Sequence, residues 1–184
     1  MPECWLKPNR RVMWACMLLP LVIALLCVVA IGLLPHRGWW LAVSGLAGVI
    51  VVASCIAGYT VWRWAQCPRL AYADGQLLVY LRSIDPEPVP IEHVECFFLG
   101  QGDSDIPVGI RKHGGSASQT ANIVTRLAES APEFHHREIR SPFGQWCGGY
   151  IVIRGTWCEP INGPLLQRLN QRLAQVHRAQ REGS

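Results

Sequence analysis

Residues 143–160 read FGQWCGGYIVIRGTWCEP, and whether this stretch is one strand or two decides the sheet built around it. A Trp-Cys pair occurs twice in it, as Trp146-Cys147 and Trp157-Cys158, on either side of an apolar run flanked by glycines. On one extended strand, cysteines eleven positions apart lie roughly 36 Å from each other and on opposite faces. A disulfide needs Cα atoms within about 7 Å. A hairpin turning midway between them would bend at Val152-Ile153, where the strand-favouring residues make poor turn chemistry. The stretch therefore reads as the last long strand of a domain, regular from Gly149 to Thr156. Gly149, Ile151, Ile153, Gly155 and Trp157 face the interior, while Tyr150, Val152, Arg154, Thr156 and Cys158 face outward. On that reading Trp157 is the most buried residue, and the two thiols are packing groups.

Outward from this strand, the chain divides by composition. Of its 184 residues, 50% are apolar and only 16% charged, a balance that places part of the chain in lipid. Val12 to Leu34 and Trp39 to Trp62 form runs of 23 and 24 residues without a charge, each long enough to span a bilayer as a helix. Between them Pro35, His36, Arg37 and Gly38 leave room only for a tight connection. Trp14, Trp39, Trp40, Trp62 and Trp64 mark the ends, where indole rings favour the interface. Lys7, Arg10 and Arg11 precede the first span and Arg63 and Arg69 follow the second, against Arg37 alone in the connection. The positive-inside rule then puts both termini in the cytoplasm of a cell-membrane protein. The first run is long for a signal peptide and no small-x-small site leads into a polar chain. No Asp, Glu, Lys or Arg lies inside either span, which leaves an ion or proton path without residues to run on. The expected organisation is a tail at 1–11, spans at 12–34 and 39–62, an external loop at 35–38, and a soluble domain at 65–184.

The soluble part reads as strands followed by one helix. Arg69 to Gly75 and Gln76 to Arg82 flank an Asp-Gly turn, a strong hairpin signal. Pro86, Pro88 and Pro90 break regular structure, Ile91 to Gly100 resumes an extended pattern, and 101–120 reads as a Gly- and Ser-rich loop. Ala121 to Leu127 and Phe134 to Ile139 read as further strands. Leu165, Leu166, Leu169, Leu173 and Val176 are spaced for one face of a helix over about 163–181, with Asn162 as its N-cap and Pro164 in the first turn. Arg168, Arg172, Arg178 and Arg181 form its solvated face. The predicted class is α+β: a small curved antiparallel sheet or barrel capped by the C-terminal helix.

Two membrane helices followed by WRWAQCPRLAYADGQLLVY (62–80) and by Val89-Pro90-Ile91-Glu92-His93-Val94 resemble bacterial membrane-anchored pleckstrin-homology-like proteins. The resemblance implies a barrel at the membrane that binds or scaffolds a protein partner, without catalytic residues. Residues 1–64 carry the whole net charge of +4, and residues 65–184 balance twelve basic against twelve acidic side chains. Such a domain lacks the footprint for binding a phosphate backbone, so nucleic acid is not expected as a partner. The partners are the bilayer and a protein, and no cofactor or metal is expected, since the cysteines and histidines lack C-x-x-C or H-x-x-H spacing. An alternative is a membrane-bound thiol hydrolase, pairing Cys147 or Cys158 with His135 or His136. Adjacent residues on a strand point oppositely, so at most one of those histidines can serve. A redox sensor joining Cys147 to Cys158 is the other alternative.

Overall fold

A computed structural model describes residues 2–33, 40–82, 84–103 and 119–182. The connecting loop at 35–38 and most of the loop at 101–120 lie outside the described residues. The chain separates into two compact units, Arg10–Gln66 and residues 1–9 together with 67–184.

The first unit is a pair of helices packed side by side, α1 (Arg10–Leu33) and α2 (Trp40–Gln66). At 1.5 Å per residue, the 24 and 27 residues reach about 36 and 40 Å, enough to cross a hydrocarbon core of about 30 Å. Pro20 stays inside α1. Leu18, Leu19, Leu25, Leu26, Leu46, Val49, Val52 and Ile56 expose between 59% and 67% of their surface, a cost in water that disappears in lipid. Gly58 of α2 lies against Met17 of α1, while Gly48 faces open space. α2 runs one turn beyond the expected end at Trp62, and there Arg63 donates to the Tyr59 hydroxyl at 3.2 Å.

The second unit holds two antiparallel sheets and a long helix. The first sheet has the order β1-β2-β3-β4, from Glu3–Leu6, Leu70–Ala73, Gln76–Val79 and Glu87–Pro90. The hairpin read at Asp74-Gly75 is present: both residues have positive φ, 51° and 77°, as a two-residue turn with the right-handed strand twist requires. The proline-rich segment, read as irregular, is instead the strand β4. It is an edge strand, paired only with β3, and an edge is where a missing N–H is tolerated.

Residues 1–11 were expected to form a tail. Instead β1 pairs antiparallel with β2, Glu3 opposite Tyr72 and Cys4 opposite Ala71. Trp5 and Leu6 are buried at 1% and 0% exposure. The residues ahead of α1 thus belong to the same core as those after α2.

The second sheet has the order β5-β6-β9-β8-β7, with β5 at Val94–Asp103, β6 at Gln119–Leu127, β7 at Ile139–Ser141, β8 at Gly144–Cys147 and β9 at Tyr150–Ile153. Ile91–His93, expected to be extended, forms a 3-10 turn leading into β5. The strand expected over Phe134 to Ile139 is also displaced. Pro132–His135 forms one helical turn, α3, with proline at its start, where a missing N–H costs nothing; the strand begins only at Ile139.

The opening stretch is corrected most. It is a hairpin followed by a 3-10 turn at Gly155–Trp157. Gly148 and Gly149 turn it, with φ of 57° and 78°, and Cys147 pairs with Tyr150. Ile151 and Ile153 are buried as the alternation required, but Trp146 is the fully buried indole, Trp157 is half-buried, and Thr156 and Cys158, expected outside, are buried. Trp146 lies parallel to Phe134 at 5.9 Å and donates from Nε1 to the Phe134 carbonyl at 3.0 Å.

The helix α4 spans Gly163–Glu182. Asn162 caps it as expected, its Oδ1 accepting from the Leu165 N–H at 2.9 Å. Leu165, Leu169 and Leu173 enter a core shared with Leu77, Val79, Ile123 and Ile151 of both sheets. Asn170 covers the free edge of β5, accepting from the Phe97 N–H and donating to the Phe97 carbonyl, both at 2.9 Å. The arginine face of α4 is partly ion-paired, Arg168 with Glu159 at 3.2 Å and Arg172 with Glu3 at 2.8 Å.

Candidate functional site

The thiol and imidazole candidates stand in unlike surroundings. Cys147 ends β8 with its side chain exposed. Cys158 is fully buried, its thiol donating weakly to the carbonyls of Arg154 and Gly155 at 3.5 and 3.6 Å. Burial pushes this thiol up to about 12, because a thiolate there would lose its hydration. A group held in its protonated form at neutral pH is a poor nucleophile. His136 is exposed. His135 closes α3, its Nε2 3.1 Å from the Ala128 carbonyl, an arrangement that makes Nε2 the protonated nitrogen of the neutral ring.

The His135 ring covers the glycine turn after Cys147: a methyl group on Gly149 would stand 2.5 Å from His135 Cε1. His135 and the turn border a surface cleft of about 290 Å³, with Arg126, Glu129 and Tyr150 on its other sides. Arg126 is engaged by Glu95 at 2.9 Å and Glu129 at 3.5 Å. The fold thus brings His135 to the Cys147 hairpin. Among the described residues, however, no hydrogen bond joins Cys147 to either histidine, and no group of three or more His, Cys, Asp or Glu converges as a metal site.

A different cluster has no counterpart in the sequence reading. It surrounds Arg69, three residues past α2, which the sequence counts as one more basic residue at the membrane. Arg69 is only 2% exposed. Its guanidinium carbon stands 3.8 Å from the centre of the Phe143 ring, and the Phe143 and Trp157 rings meet at 90° with centroids 5.4 Å apart. Burial lowers the guanidinium from its ordinary range to about 10, so it still carries its charge at neutral pH, resting on an aromatic face. Arg69 Nη2 and Trp157 Nε1 are buried without a hydrogen-bond partner among the described residues.

The carbonyl of Trp157 is the centre of this cluster. It accepts from Arg69 Nε at 3.2 Å and from the backbone N–H of Asn9 at 3.0 Å. Asn9 Nδ2 donates in addition to the Thr156 carbonyl at 3.2 Å, and the Arg69 N–H donates to the Leu6 carbonyl at 2.8 Å. Asn9 is the last residue before α1. The chain leading into the helix pair and the chain leaving it are therefore fastened to one carbonyl. Nothing in the sequence marks it, since the turn that presents the Trp157 carbonyl joins residues far apart in the chain. Compared with known proteins, the chain matches no family model, no curated protein and no solved structure.

Proposed function

We propose that the chain is a membrane-anchored binding or scaffolding module, with α1 and α2 crossing the cell membrane and its folded domain on the cytoplasmic face. The observation that carries this reading is the outward display of leucine and valine along both helices, beside a separate domain that buries its own apolar residues in a continuous core. A core helix of a soluble protein hides such side chains; a lipid-facing helix presents them. The cytoplasmic assignment rests on charge. Arg69 is occupied inside the domain, but Lys7, Arg10, Arg11 and Arg63 still flank the helix pair on the domain side, against Arg37 in the connection.

The pleckstrin-homology-like part of the proposal is supported by the order of elements: hairpin-connected antiparallel strands in two sheets, then one long helix closing over the core. The order β5-β6-β9-β8-β7 departs from a simple succession of neighbouring strands and is the part the resemblance explains least. A binding role is favoured over thiol chemistry because Cys158 is held protonated in the core and His135 Nε2 is taken by a backbone carbonyl. The test is affinity capture of the detergent-extracted full chain from its own membranes. Recovery of one protein in stoichiometric amount supports the module, and that protein must be lost when surface residues of the domain are changed. A thiol-reagent titration separates the alternative: Cys147 reacting far faster than an ordinary exposed cysteine would restore the hydrolase.

A further inference from the structure

The strand β1 precedes α1 and its partner β2 follows α2, in the register Glu3 to Tyr72 and Cys4 to Ala71. Trp5 stacks on Tyr72 at 5.5 Å and meets Phe97 edge-on at 6.2 Å. Lys7 and Glu159 are joined twice, the Glu159 N–H donating to the Lys7 carbonyl at 2.9 Å and the Lys7 N–H donating to the Glu159 carboxylate Oε1 at 3.0 Å. Pro8 bridges to Cys158, and Asn9 and Arg69 share the Trp157 carbonyl. A continuous seam thus runs from Glu3 to Asn9.

We propose that β1 is a topology latch. The domain completes its core only when residues 3–9 lie on the same side of the bilayer as residues 67–184, so folding selects the hairpin with both ends together and then holds its two roots at the Trp157 carbonyl. The latch rests on the reading of α1 and α2 as spanning helices. A chain whose leading residues crossed the membrane, or were cut away behind α1, would lack Trp5 and Leu6 and would expose the edge of β2. Barriers of many kcal/mol prevent polar segments from re-crossing lipid. Once the latch forms, neither helix can leave without unzipping the seam.

The test uses the full chain in membranes, in a Cys4→Ser background so that a neighbouring thiol cannot compete. Glu3→Cys with Tyr72→Cys places thiols on facing strand positions, and a protease site in the 35–38 connection allows the two halves to be separated. After mild oxidation and cleavage, the latch predicts one band that splits in two on reduction. In a second chain the leading segment is driven across the membrane by Lys7→Glu, Arg10→Glu and Arg11→Glu with added arginines in the connection. There the cross-link is lost, and proteolysis of residues 70–182 accelerates about a hundredfold or more, as follows from withdrawing two fully buried large side chains. Unaltered protease resistance in that second chain, or no cross-link in the first, overturns the latch while leaving the anchor intact. Release of the first chain from membranes by alkaline extraction overturns the spanning reading and the latch with it.

Discussion

Replacing Gly148 and Gly149 separately by alanine tests the reversal within residues 143–160, because both glycines hold a left-handed backbone while a side chain would meet different surroundings at each. Both have positive φ, 57° and 78°, so a side chain at either incurs the left-handed backbone cost of roughly 1–2 kcal/mol. A Cβ on Gly148 meets nothing within 4 Å, whereas one on Gly149 stands 2.5, 2.7 and 3.0 Å from three atoms of the His135 ring. The ring must move, and its bond to the Ala128 carbonyl is then lost, worth about 0.5–1.5 kcal/mol net. Gly148→Ala is expected to cost about 1–2 kcal/mol and Gly149→Ala about 1.5–3.5 kcal/mol, by adding these terms. Denaturant titration of the detergent-solubilised full chain, followed by the near-ultraviolet signal of the buried indoles, reads both. The excess at Gly149 should shrink in a His135→Ala background, since the two sites share one contact. Equal costs at the two positions would refute the His135 packing. No cost at either would refute the turn itself, because on one long strand neither glycine needs positive φ.

Three further outcomes follow from the same packing. Trp146→Ala should destabilise the domain by about 3–5 kcal/mol and Trp157→Ala by clearly less, since only Trp146 is fully buried with its Nε1 paired; the reverse ranking by thermal melting would reinstate Trp157 as the core residue. Asn170→Ala should cost about 1–3 kcal/mol by leaving the Phe97 N–H and carbonyl at the β5 edge without their partner, seen as faster hydrogen exchange at Phe97. The Cys158 thiol, ordinarily near 9 and pushed up to about 12 by burial, ionises first in the unfolded chain. Its contribution is fully present below pH 9 and is lost as pH rises towards 12, at up to about 1.4 kcal/mol per pH unit. A Cys158→Ala chain whose melting temperature falls just as steeply between pH 9 and 10 would show that another group is responsible.

The two long helices were legible in the sequence because each is a local, uninterrupted run of more than 20 uncharged residues, the pattern a spanning helix would need. The Asp74-Gly75 hairpin and the Asn162 cap were legible for the same reason, as each is set by a few adjacent side chains. β1 was not. Glu3–Leu6 ahead of a basic cluster looks like a tail, and only Tyr72 and Ala71, on the far side of both helices, make it a strand. Arg69 misled in a similar way, its basic side chain scored as a membrane-flanking charge while the fold lays it on Phe143.

FGQWCGGYIVIRGTWCEP departs from a single strand for a different physical reason. Gly-Gly between apolar runs is itself a hairpin signal, whereas a hairpin centred between the two cysteines would turn at Val152-Ile153, where turn chemistry is poor. Alternation from Ile151 to Ile153 was sound because β9 is regular there. Carried backwards across the Gly148-Gly149 turn, the same count no longer followed one strand, so Trp146, which pairs with Ile151, was never assigned to the interior. Carried forwards, it crossed the 3-10 turn at Gly155–Trp157, where side chains repeat every three residues rather than every two. Parity counted from Ile153 therefore carries no information at Trp157 or Cys158. The 3-10 turn accounts for the half-buried indole, the buried Thr156 and the buried thiol together. It also presents the Trp157 carbonyl to Asn9 and Arg69 together, which only a turn at that point can do.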